Sequence, residues 1–303
     1  MSVAIIGTVA LDSIKTPKGI HERILGGSAT YAGTAARLFA PVSLISIVGK
    51  DFPAEHVNYF KSRDINIDGV KIADGKTFHW SGYYEGDMSQ AHTISTDLNV
   101  LLEFDPQIPP SAKKASIVFL ANTDPILQEK AIAQFESPKL IVMDTMNFWI
   151  QSKLEDLKKT LKLVDVLIIN DQELRLLTGI SNIIQAMPKV IEMGPKRVII
   201  KKGEHGAIMF NGKNHFICPA FPLEDLVDPT GAGDSFAGGF CGYLAKAGKQ
   251  DEATFRQAVV AGTLISSYTV QGFSLDELKK VQPKTLADSY HRFKEFIQLP
   301  DAI

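Results

Sequence analysis

Apolar runs of strand length recur along the chain, at Ala4 to Val9, Val42 to Val48, Ile117 to Leu120, Leu140 to Met143, Val166 to Ile169 and Val198 to Ile200. Between most of them lie segments with helical spacing. Near-continuous apolar strands alternating with helices predict a largely parallel sheet covered on both faces, an α/β core. Ser28 to Phe39 reads as one of the helices. Another, Pro53 to Arg63, follows Asp51 as N-cap, carries Pro in its first turn and sets Val57 and Phe60 on one face. Leu154, Leu157 and Leu161 repeat the spacing later.

Two regions break this alternation. Residues 69 to 96 read as strands with no helices between them, and Thr77 to Tyr84 places Phe78, Trp80 and Tyr84 on one face. Residues 13 to 25, turning at Pro17-Lys18-Gly19, supply partner strands, so a small antiparallel sheet is expected beside the main one. Its aromatic face suits ordinary packing or a subunit contact as well as it suits a substrate. From 198 to 218, turn signals at Glu204-His205-Gly206 and Asn211-Gly212 predict a meander at a sheet edge. From Thr230 onward the chain reads as mostly helical, with Asp251 as an N-cap and Gly272 as a stop.

Composition narrows the partners. The 303 residues are 22% charged, with Lys+Arg 32 against Asp+Glu 34, so no basic field exists to hold a nucleic-acid backbone or an anionic membrane. No apolar stretch approaches the ~20 residues that span a bilayer. The Met1 to Gly7 run has no basic segment before it and reads as a first strand, not a signal peptide; a cytoplasmic protein is expected. Cys218 and Cys241 lack metal-ligand spacing and are expected as buried thiols.

Candidate chemistry concentrates between Val227 and Phe240. Gly231 and Gly233 bracket Ala232 at the mouth of an apolar helix, where consecutive N–H groups at the positive end of the dipole accept an anion. Asp234 stands beside them, placed to take a proton from a hydroxyl while the amides neutralise a transferring phosphoryl. The same residues also make an ordinary helix start, with Gly238-Gly239 permitting close helix packing. Gly242 to Gln250 is no P-loop, since its spacing is one residue too long and Gln250 stands where Ser or Thr is needed; a dinucleotide fingerprint fails at Phe236, where the third glycine belongs. HExxH, GxSxG and His/Cys clusters are absent from the sequence.

The string from Asp228 to Phe240, DPTGAGDSFAGGF, resembles the second signature of the PfkB, or ribokinase-like, carbohydrate kinases, which phosphorylate sugars and nucleosides with ATP. The resemblance continues in order through Gly7 and Asp12, Gly26-Gly27, Asn170-Asp171-Gln172-Glu173 and Lys202 to Gly206. It implies a three-layer α/β/α fold with a mostly parallel central sheet, one domain over residues 1–303, and a small β-sheet lid inserted as about 13–25 and 69–96. It implies Asp234 as catalytic base, the backbone of Gly231, Ala232 and Gly233 as anion hole, and Asp12 with Gly26 and Gly27 at the substrate hydroxyls. Where many relatives carry Asn four residues after the second glycine, this chain has Tyr31, which argues against ribose held in the familiar way. Tyr31 either meets the substrate or packs within its helix.

Asn122 and Asp144, at strand ends, are further substrate candidates, with Asp124 and Asn147 beside them. For ATP and Mg²⁺ the resemblance implies Asn170, Glu173, Lys202, Gly203, Gly206, Thr230, Ala261 and Ser266, near the Gly272-Phe273 stop, with Glu173 reaching the metal through water. Asp228 is the candidate for a monovalent cation, K⁺. The expected acceptor is a small sugar or polyol, with a nucleoside as the alternative; a regulator that binds nucleotide or sugar without turnover is the rival from another class. A homodimer through the lid is also implied.

Overall fold

The computed structural model describes residues 1–298. The chain opens with β1 (Val3–Ile6), a hairpin of β2 (Ala10–Thr16) and β3 (Gly19–Gly26), and α1 (Ser28–Arg37). Next come β4 (Val42–Gly49), α2 (Ala54–Ser62), β5 (Ile65–Ala73), and a second pair, β6 (His79–Tyr83) and β7 (His92–Asp97). The middle alternates: β8 (Ile117–Leu120), α3 (Pro125–Ile132), β9 (Leu140–Asp144), α4 (Asn147–Ser152), α5 (Leu154–Leu161), β10 (Val166–Asn170), α6 (Asp171–Thr178), α7 (Ile183–Glu192) and β11 (Arg197–Lys201). The last part holds β12 (Ala207–Phe210), β13 (His215–Cys218), α8 (Ala232–Ala247), α9 (Glu252–Thr269) and α10 (Pro283–Phe296).

Nine strands form one sheet in the order β13-β12-β11-β10-β9-β8-β1-β4-β5. Its pairs are parallel from β11 through to β5, and the β11-β12-β13 meander closes one edge antiparallel, where the turn signals put it. Strand parity divides the interior. Val3, Ile5, Phe119, Val142, Ile168 and Ile199 pack on one face with α1, α8 and α9, while Ala4, Ile6, Leu120, Met143, Ile169 and Ile200 pack on the other with α5, α6 and α7. Residues of one strand thus point alternately into two cores, which makes three layers.

Four local expectations change. The first strand stops at Ile6 rather than Val9, because the chain bends at Gly7 and re-enters extended structure in a second sheet. Pro53, not Asp51, holds the N-cap position of α2; the Asp51 carboxylate is drawn instead to the N–H and hydroxyl of Thr77, both at 2.7 Å. Residues 69 to 73 belong to the main sheet as the end of β5, so the second piece of the small sheet is β6 and β7. The small sheet, in the order β3-β2-β6-β7, is mixed rather than antiparallel, since β2 and β6 run parallel. Its two hairpins come from distant stretches of chain and meet through their inner strands.

Candidate active site

The α8 N-terminus is open. Gly231 occupies the N-cap position at φ 75°, and no side chain caps the helix. The Ala232 N–H goes to the Pro229 carbonyl, the Ser235 N–H to that of Gly231 and the Asp234 N–H to its own carboxylate, so the Gly233 amide is left in the first turn as a donor at a positive helix end. Gly231 is required twice over: its φ is left-handed, and a Cβ there would sit 2.3 Å from the Tyr31 ring. Asp234 is pushed up to about 7, first by burial and then by the Asp144 charge, while Lys201 and its own N–H pull it back. A carboxyl poised near neutrality beside an unsatisfied amide has the properties of a general base.

Three neighbouring strands supply the other wall at their C-terminal ends. Asp144 ends β9, Asn170 ends β10 and Lys201 ends β11; all three share the parity of Val142, Ile168 and Ile199, on the α8 side of the sheet. Lys201 donates to Asp144 Oδ2 at 3.1 Å, and both side chains are largely buried. Burial alone would lower the Lys201 ammonium; Asp144, Glu173 and Asp234 outweigh it and hold the group above its ordinary value. Glu173 and Asn170 form a capping box on α6: Asn170 Oδ1 accepts from the Glu173 N–H at 2.8 Å, and Glu173 Oε2 accepts from the Asn170 N–H at 2.7 Å. The Glu173 carboxyl is nevertheless raised to about 7 by burial, with Lys201 opposing and Asp144 and Asp234 adding to it. Capping and facing the cleft are therefore compatible in one residue.

Across the cleft, Asp12 lies on β2 beside a bulge. Its carboxylate fills the place of a side chain on Gly26, where a Cβ would fall 1.9 Å from Asp12 Oδ2. Burial raises it to about 7; the Gly27 N–H lowers it, Asp228 and Asp234 raise it further, and the Trp80 N–H from the lid lowers it. Asp228 is fully buried, with Oδ1 accepting from the Thr230 N–H at 2.9 Å and Oδ2 left without a hydrogen-bond partner. The lid touches this wall directly. Thr230 Oγ1 donates to the Tyr84 hydroxyl at 3.2 Å, and His21 stacks on Phe273 with ring centroids 4.0 Å apart.

The structure thus brings Asp12, Gly26, Gly27, Asp144, Asn170, Glu173, Asp228, Thr230, Gly231, Ala232, Gly233 and Asp234 into one region. Tyr31 is 1% exposed with its ring against Gly231, so it backs the α8 turn and has no free face for a substrate ring. Asn122 spends its amide on Trp149 and Met146, and Asp124 caps α3 and pairs with Lys153. Asn147 accepts from the adjacent Phe148 N–H. Lys202 and Gly206 close the β11–β12 turn on each other, and Gly203 lies exposed within it. Ala261 is buried along α9, and Ser266 bonds back to the Thr263 carbonyl. Both cysteines are free and buried. Lys201, which the sequence did not single out, lies against Gly233, and the parity it shares with Ile199 is the signal that places it there.

Among the described residues no group of three or more His, Cys, Asp or Glu stands ready to hold a metal, and no helix is long and apolar enough to cross a membrane. A Mg²⁺ that keeps its waters and binds through substrate phosphates needs only one or two carboxylates, which the buried Glu173 fits. The orphaned Asp228 Oδ2 fits a monovalent cation.

The model of the pfkB family of carbohydrate kinases matches residues 2–277. A cytidine kinase of Thermococcus kodakarensis is 29% identical over 249 residues, covering 80% of this chain and 88% of that protein. Among solved structures, a putative ribokinase II from E. coli in complex with ATP and Mg²⁺ superposes with TM-score 0.79 at 18% identity, covering 96% of this chain and 99% of that one. A Burkholderia thailandensis nucleoside kinase in complex with inosine superposes with TM-score 0.76 at 19% identity, covering 98% and 100%.

Proposed function

The chain belongs to the pfkB family of carbohydrate kinases, and from that membership we propose a nucleoside kinase in which Asp234 is the general base. Its activity is ATP-dependent phosphorylation of a sugar or nucleoside hydroxyl. The observation that carries the mechanism is the Asp234 carboxyl, displaced to about 7, at the uncapped first turn of α8.

Asp12, anchored by the Gly27 and Trp80 N–H groups, grips hydroxyls of the acceptor and directs the reacting one toward Asp234. The acceptor oxygen forms its bond to the γ-phosphorus, its proton passes to Asp234, and the bond from that phosphorus to the bridging oxygen breaks to release ADP. The Gly231–Gly233 backbone stabilises the charge on the transferring group. Bound Mg²⁺ would neutralise phosphate charge, with Glu173 holding it through water, and K⁺ would sit against Asp228. The lid, already joined to Thr230 through Tyr84, keeps out water that competes as acceptor. One feature supports a nucleoside over a free sugar: the cytidine kinase relative.

A screen of nucleosides, sugars and polyols for ADP release with Mg²⁺-ATP tests this reading, with Asp234→Asn as control. Nucleosides are expected to give the highest kcat/KM, and the variant to lose about 10²–10⁴ in kcat. Turnover of free sugars alone overturns the substrate class. Normal turnover by Asp234→Asn overturns the base, and no stimulation by any hydroxyl compound favours a binding protein.

A further inference from the structure

We propose that Lys201 is a catalytic residue whose ammonium docks on the transferring γ-phosphoryl beside the Gly233 amide, with Asp144 fixing its position. The proposal rests on the kinase reading and adds a side-chain cation to an anion hole otherwise made of backbone.

Position is the first argument. A Cβ on Gly233 would lie 2.7 Å from Lys201 Nζ and 3.5 Å from its Cε, so the ammonium stands directly against the middle of the open α8 turn. An ammonium carries three donors, and among the described residues its one hydrogen bond goes to Asp144 Oδ2. Asp144 Oδ1 is occupied by the Thr145 N–H, which fixes the carboxylate on its strand end. Two donors of Lys201 are left for whatever enters the turn.

Charge is the second. Asp144, Glu173 and Asp234 surround the ammonium, three carboxylates against one cation, at the place where a polyanion must settle. A helix end offers roughly half a positive charge. Without Lys201 the protein's own groups at this place would be that partial charge and a surplus of negative ones. Stability does not account for the residue either, because a buried ion pair gains little over an apolar pair of the same volume. Lys201 gives up no proton and forms no covalent bond; it neutralises charge on the phosphoryl oxygens as the acceptor bond forms and the bond to ADP breaks.

Lys201→Met alone leaves the buried Asp144 unpaired, so the deciding variant is Asp144→Asn/Lys201→Met, which removes both charges. Thermal unfolding confirms that it is folded. Relative to wild type, kcat is expected to fall about 10²-fold or more, with the acceptor KM within about threefold. Calorimetry with a non-hydrolysable ATP analogue and with ADP gives a second readout: the ratio of the two affinities is expected to shift about tenfold against the analogue in the variant. A folded double variant with wild-type kcat, or with that ratio unchanged, overturns the proposal. A wild type that phosphorylates nothing overturns the kinase reading instead, while the two binding titrations still decide whether Lys201 touches the γ-phosphate.

Discussion

Asp234 and Asp12 face one cleft, and burial pushes both up to about 7, yet their surroundings differ in kind. Around Asp234 stand Asp144, Glu173 and the buried Lys201 ammonium, next to an uncapped helix end. Around Asp12 the stabilising donors are two backbone amides, and its charged neighbours, Asp228 and Asp234, are both acidic. A buried ammonium and an open amide are groups that can meet a phosphate, and only the Asp234 side has them; the Asp12 side offers acids and backbone donors, which suit a neutral ligand that donates hydrogen bonds.

The largest effect that sharpens this contrast is expected from Asp12→Asn. Losing charge-assisted hydrogen bonds to the acceptor costs about 1.5–3 kcal/mol, or roughly 10–100-fold in kcat/KM for the acceptor. ADP affinity by calorimetry should stay unchanged. An equal loss on both ligands would show that the two walls do not divide the work.

Next is the pH dependence. Activity needs Asp234 ionised, so kcat/KM should fall about tenfold per pH unit below an apparent value near 7, a property of the coupled carboxylates rather than of one alone. Stability must run the opposite way. A carboxyl raised from 3.8 to about 7 binds its proton more tightly in the folded protein, so the contribution of Asp12 and Asp234 to stability is present at low pH and is lost as pH rises from about 4 to about 7. At pH 8, without ligands, Asp12→Asn and Asp234→Asn are each expected to unfold ~2 °C or more above wild type in a thermal melt. A lower Tm would mean that these carboxylates stabilise the fold, contrary to burial as the cause of the shift.

The two walls were unequally legible in the sequence. The α8 wall puts its turn, amides and acid within a few consecutive residues, so Gly231 to Asp234 could be read as an open helix start carrying an acid before any coordinates. The apolar strands were equally plain, because burial on both faces leaves unbroken runs such as Ile117–Leu120. Lys201 was hidden by its neighbour: Lys201 and Lys202 are adjacent and chemically alike, and only the parity of β11 decides which one enters the cleft. Tyr31 was ambiguous for a related reason, since a helix position says nothing of what packs on it until Gly231 is seen against its ring. The small sheet's mixed pairing was out of reach, because β2 and β6 meet across some seventy residues and alternation alone carries no strand direction.

The smallest effect is expected from Tyr84→Phe, which asks whether the lid serves the acceptor wall alone. The Tyr84 hydroxyl accepts one hydrogen bond from Thr230 Oγ1 at 3.2 Å, and Thr230 keeps its N–H on Asp228 whether or not that contact exists. Burial raises the phenol to about 12, so it is neutral at working pH and its loss is that of one uncharged hydrogen bond, about 0.5–1.5 kcal/mol. Because Asp228 and Asp12 lie within electrostatic reach of this phenol, the change should raise the acceptor KM about two- to tenfold and leave kcat and the ATP KM near wild type. If the ATP KM rises instead, the lid closes over the nucleotide as well. The division between a wall that carries Lys201 and one that carries only acids would then describe the resting cleft but not the closed one.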